Sequence, residues 1–205
     1  MTWIRTLDYA ESEGRLRQIY DRIKGPGGEI DNIMAAHSLR PHTMEGHMAL
    51  YKSVLHHARN EQPKWFLEAL GVWVSLINRC QYCVAHHAAG LRRLVDDAAR
   101  ADAILGALEA GDPAAGPFSA AERAALDYAA ALTRTPPEAE ARHLEAMRAA
   151  GLDDGAILEI NQVVAYFAYA NRTVIGLGCS TEGENLGHAP GNSDDPADWT
   201  HRPAG

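Results

Sequence analysis

The sequence has no run of 18 or more apolar residues, so no segment is expected to span a membrane. It also has no block of Lys or Arg. With 19 basic against 27 acidic residues its formal net charge is -8, which argues against nucleic acid or an anionic membrane as partner. The start, MTWIRTLDYAESEGRL, lacks a basic stretch followed by an apolar core, so no secretory signal is expected and the chain is assigned to the cytoplasm. Strand-like alternation and Asn-Gly hairpin signals are missing, which leaves no case for a β fold. Only three cysteines occur. An odd count with two close together is a poor disulfide framework, and in a reducing compartment such a pair reads as catalytic or metal-binding.

What is present is helical periodicity along most of a chain long enough for one well-buried core. An amphipathic run near residues 9–24 puts Leu16, Ile19, Tyr20 and Ile23 on one face, and GPGG at 25–28 ends it. Pro41 and Pro63 stand where helices start. Ser119 with Glu122, and Thr135 with Glu138, have capping-box spacing, and Asp153 or Asp154 is placed to cap a last long helix. The expectation is an all-α domain over residues 1–178. Residues 179–205, rich in Gly, Pro, Asp and Ser, form an irregular tail that a partner subunit is expected to order.

The segment LEALGVWVSLINRCQYCVAHHAAGL, residues 67–91, carries the chemistry. On a helix Cys80, Cys83 and His87 share one stripe. Asn78 would cap that helix, placing Cys80 in its first turn, where free N–H groups favour thiolate. A protonated His87 would depress the Cys83 thiol. Glu68 lies among Leu67, Leu70, Val72, Trp73 and Val74, on a helix apolar nearly all round. A carboxyl there either pairs or rises toward neutral pKa, where it can act as base. The alternative is a narrow exposed edge near Lys64. Zinc could use the cysteines with His86 or His87, but no second ligand cluster is visible, so no metal is expected. His86 is expected to face solvent or a neighbouring helix, Tyr82 to pack, Cys179 to be a bystander, and the remaining histidines to lie on the surface.

Glu68, then Cys80-Gln81-Tyr82-Cys83, then His87 resembles the E…CxxCxxxH signature of the alkylhydroperoxidase D-like (carboxymuconolactone decarboxylase-like) proteins. HSLRPHTMEGHMALYKSVL, INRCQYCVAHH, RAAGLDDGAILEI and YFAYANRTVIGLG are similar to their peroxidase-related branch, over roughly residues 8–178. The resemblance implies a helical bundle, a homo-oligomer (trimer or hexamer) and thiol-dependent reduction of a small hydroperoxide. It further implies a Glu68–His87 proton relay, no bound cofactor, and an external dithiol donor of lipoyl or thioredoxin type. Where studied members have a histidine before the second cysteine, this chain has Tyr82. The lactone decarboxylases lack the cysteine pair that this chain has. Cys83 is favoured as the attacking sulfur because it sits nearest His87, with Cys80 resolving; the helix N-terminus favours the reverse. A non-redox decarboxylase or isomerase using Glu68 and His87 as acid and base, and a redox-sensing module, are the alternatives.

Overall fold

The computed structural model describes residues 2–25, 27–195 and 197–199. Met1, Pro26 of the GPGG break, Pro196 and the last six positions of the tail lie outside them. The elements are α1 (Gly14–Ile23), α2 (Asn32–Ala35), α3 (Pro41–Leu55), α4 (Lys64–Ile77), α5 (Gln81–Leu94), α6 (Ala98–Glu109), α7 (Ala120–Thr133), α8 (Ala141–Ala149) and α9 (Asp154–Leu177). Among the described residues there is no strand, only an isolated bridge between His57 and Ser193. No described helix is long and apolar enough to cross a membrane.

The centre of the bundle is α4. Ten consecutive residues, from Phe66 to Ser75, are buried, because α3, α5, α6, α7 and α9 surround the helix. A helix apolar on every face can be satisfied only in such a position. Gly71 permits the closest of these approaches: a Cβ built there would stand 2.2 Å from the Phe167 ring of α9.

Local signals set most helix boundaries. Leu16, Ile19, Tyr20 and Ile23 are the buried face of α1. Pro41 occupies the first turn of α3. Ser119 and Glu122 form their capping box, and the Asp153 carboxylate accepts from Ala156 N–H (2.8 Å) to start α9. The second expected box does not form. Glu138 instead pairs with Arg134 (2.8 Å), and α8 starts after Glu140, whose N–H is taken by buried His143 Nδ1 (3.0 Å).

Among the described residues the segment after Gly178 has neither helix nor strand, and it lies on the chain's own helices. The buried Lys52 ammonium of α3 donates to Gly191 C=O, Asn185 donates to Glu29 (2.7 Å), and Asn32 donates to Ser180 C=O (2.7 Å). Gly187 sits flush on α5, where a Cβ would be 2.9 Å from Ala89. This strap forms one wall of the site described next.

Filling the α4–α9 contact is expected to be destabilising. Gly71→Ala should cost about 1–3 kcal/mol, as overpacking does, and lower the melting temperature by roughly 2–4 °C per kcal/mol. Gly106→Ala, where nothing lies within 4 Å, should be neutral or slightly stabilising. Equal melting temperatures for the two variants would contradict this account of Gly71.

Candidate functional site

The joint between α4 and α5 fixes the two thiols. Asn78 caps the end of α4, not the start of α5, and Arg79 follows with φ 58°. Cys80 N–H donates to Ser75 C=O (2.8 Å) and Arg79 N–H to Leu76 C=O (3.0 Å), the two bonds of a Schellman motif. Arg79 therefore holds a left-handed conformation usually given to glycine. The chain reverses within three residues, which places Cys80 at the N-cap of α5 rather than in its first turn. Cys80 and Cys83 Sγ come within 2.9 Å, and both are buried.

Asn171, fully buried on α9, braces this turn from behind. It accepts from Asn78 Nδ2 (2.9 Å) and donates to Ser75 Oγ (3.0 Å). The sequence reading missed it; the available signal was an amide inside the apolar run AYFAYANRTVIGL, since buried polar groups require partners.

Glu68 is buried, with its Oε2 2.6 Å from His87 Nδ1. Gly90 makes room, because a Cβ there would lie 3.1 Å from the carboxyl carbon. The Phe167 ring stands edge-on to His87 at 4.5 Å between centroids. Burial raises the Glu68 pKa, but the facing imidazole outweighs it and leaves the carboxyl below its ordinary value of 4.5. Of the two outcomes expected for a buried carboxyl, pairing is the one found: Glu68 is held below its ordinary value by its imidazole partner.

A second carboxylate–imidazole pair flanks the same cysteine. Glu184, on the strap, places Oε2 3.0 Å from His86 Nε2, and its side chain is only 4% exposed. Its Oε1 accepts from Tyr82 Oη (2.9 Å) and from Asn32 N–H, while Tyr82 Oη itself accepts from Ile33 N–H (3.2 Å). His86 thus faces inward instead of solvent, and Tyr82 does more than pack. His86 and His87 lie three and four residues beyond Cys83, so both stand over it on the helix. Further histidines expected at the surface are inside: His47, His56 and His143 are buried. Desolvation lowers His47 to about 3 and His56 to about 4, so both are neutral.

A cavity of about 60 Å³ opens between the strap and the bundle, room for a few waters or one small molecule. Cys83, Glu68, His86, His87 and Tyr82 line it, with Tyr51, Tyr166 and Trp199 as aromatic walls. Cys83 faces this space and Cys80 lies behind it. The two thiols are shifted in opposite directions. The bond from Cys83 outweighs burial and lowers Cys80, with smaller help from the Cys83 N–H and Asn171. The same bond together with burial drives Cys83 well above the ordinary thiol value. The expected depression of Cys83 by His87 is overturned, because a neighbouring sulfur at 2.9 Å dominates. Cys179, raised to about 11 by burial, packs beside the pair. Among the described residues no three His, Cys, Asp or Glu side chains are grouped to hold a metal ion.

The fold is the all-α alkylhydroperoxidase D type. An alkylhydroperoxidase AhpD core structure, an uncharacterised peroxidase-related protein from Ralstonia eutropha JMP134, superposes with TM-score 0.74 at 23% identity. The match covers 87% of this chain and 91% of that one. A peroxidase-related protein from Silicibacter sp. TM1040 gives 0.74 at 24% with the same coverage. The debrominase Bmp8 gives 0.69 at 19%, over 87% of this chain and 91% of its own. A cysteine-to-alanine variant of that debrominase in complex with 2,3,4-tribromopyrrole gives 0.65 at 20%, over 89% and 91%. No family model matches the sequence, and no curated protein does.

Because folding depresses the Glu68 carboxyl, its stabilising contribution is complete above the unfolded-state value and is lost as pH falls through the folded-state value. Glu68→Gln should therefore lower stability at neutral pH by about 1–3 kcal/mol, with the gap from wild type closing in acid. Urea unfolding at neutral and strongly acid pH measures both. A gap that persists undiminished in acid would sink this account of the Glu68 carboxylate.

Proposed function

We propose that the chain is a thiol-dependent oxidoreductase that reduces small hydroperoxides, or a partner's disulfide, through Cys80 and Cys83. One observation carries the reading: two sulfurs 2.9 Å apart, one of them on a cavity wall shared with a histidine that a buried glutamate fixes. Access assigns the attack to Cys83, although the charge favours Cys80, because a sulfur behind the wall cannot meet a substrate. Its proton moves toward Cys80 and the Glu68–His87 pair, and the freed thiolate attacks the terminal peroxide oxygen. The S–O bond forms, the O–O bond breaks, and an alcohol leaves. Cys80 then displaces water from the sulfenic acid to give the disulfide.

An external dithiol of lipoyl or thioredoxin type returns the pair to its reduced form, and no bound cofactor takes part. Action in the cytoplasm as a homo-oligomer, trimer or hexamer, belongs to the same proposal. The aromatic walls formed by Tyr51, Tyr166 and Trp199 support a second reading, reductive dehalogenation, by likeness to the debrominase. There the dithiol supplies two electrons, so that a bromoarene and two thiols give arene, bromide, a proton and the disulfide.

Hydroperoxide consumption with a dithiol donor tests the main reading. Cys83→Ser is expected to abolish it. Cys80→Ser should lose multiple turnover yet still form one sulfenic acid per chain, trapped with dimedone. Turnover surviving both substitutions would falsify the dithiol mechanism. Bromide release from a bromopyrrole without peroxide turnover would select the second reading.

A further inference from the structure

The strap carries an acid that its own surroundings do not explain. Glu182, Asn185 and Leu186 around it are exposed, yet the Glu184 side chain is 4% exposed. Taking a carboxylate out of water costs several kcal/mol unless strong bonds replace hydration. Glu184 has such bonds to Asn32 N–H, Tyr82 Oη and His86 Nε2. The first two would be enough to fasten a strap. The third commits charge to an imidazole that lines the cavity with Cys83.

The two imidazoles over Cys83 are held differently. His87 is bound through Nδ1 by Glu68 from the core helix α4, whereas His86 is bound through Nε2 by Glu184 from the strap. Peroxide reduction needs two proton movements at one sulfur: a proton leaves the thiol, and a proton reaches the departing oxygen. One imidazole could do both only by carrying the thiol proton across to the leaving oxygen; two imidazoles held separately can divide the two movements between them.

We propose that His86 is the general acid that protonates the leaving oxygen, and that Glu184 of the strap is the residue that positions it. The proposal rests on the hydroperoxide reading above. The sulfur of Cys83 gains the terminal oxygen and is oxidised by two electrons. The other peroxide oxygen takes the electron pair of the O–O bond and the proton from His86, leaving as alcohol. The thiol proton, drawn off through Cys80 and His87, returns to His86 through solvent, so protons balance over the cycle. The Cys83 chemistry is then complete only when the strap is in place.

Leaving-group dependence separates this role from mere fastening. An alkoxide leaving from tert-butyl hydroperoxide needs a proton; acetate leaving from peracetic acid does not. His86→Gln is expected to lower kcat/KM for tert-butyl hydroperoxide by about 100-fold or more, in the range of general acid catalysis, while changing the peracetic acid rate less than about threefold on the same reasoning. Glu184→Gln keeps an oxygen for Tyr82 and Asn32 but loses the charge on His86, and should show the same selective loss. Glu184→Asp should recover part of it.

Equal losses on both oxidants, or no loss on either, would overturn the assignment. Wild-type protein that consumes neither oxidant would instead refute the hydroperoxide reading itself. Circular dichroism and the melting temperature of each variant identify any that fail to fold. For those, His86→Asn is the replacement test, and the same selective pattern is required.

Discussion

Helix α4 takes a carboxylate through the most apolar part of the molecule, and the placement of α5 follows from where that carboxylate finds its partner. A buried ionised group without compensation would be intolerable. The Glu68–His87 pair supplies that compensation across the α4–α5 interface, and Gly90 keeps the backbone out of the way. The tight Asn78–Cys80 turn then follows geometrically, because α5 must run back along α4 for the imidazole to arrive. One carboxylate–imidazole pair thereby ties down a helix that has Cys80 at its N-cap and carries Tyr82, Cys83 and His86 in its first turns.

The thiols inherit their properties from this arrangement. Cys80 stands at the reversal, backed by Ser75 and Asn171, and Cys83 points into the cavity. Charge and access are thereby divided between two sulfurs. The sulfur whose pKa is lowered is shielded, and the one whose pKa is raised faces the cavity.

Much of this was legible in order. Leu16, Ile19, Tyr20 and Ile23 announced a helix face, Ser119 with Glu122 announced a cap, and the all-round apolarity of residues 66–77 announced a central helix. These signals are local, within a few residues, and tertiary packing did not override them. The box at Thr135 and Glu138 failed because Arg134 took Glu138 and buried His143 offered a better start one turn later. The inward orientation of His86 is not a local property, because its partner Glu184 lies on a strap about 100 residues away.

The sequence by itself determined the helical class, the CxxC spacing, and the stripe joining Cys83 to His87, because helical periodicity converts spacing directly into direction. It also marked Glu68 as a carboxylate in need of a partner. Only the tertiary structure decided which sulfur faces the cavity, which thiol's pKa is raised, and that Asn171 and Glu184 adjoin the cysteine pair and its histidines. Those outcomes depend on desolvation and on contacts between residues far apart in the chain. No local pattern encodes them, because burial is a property of the assembled surfaces and not of any single segment.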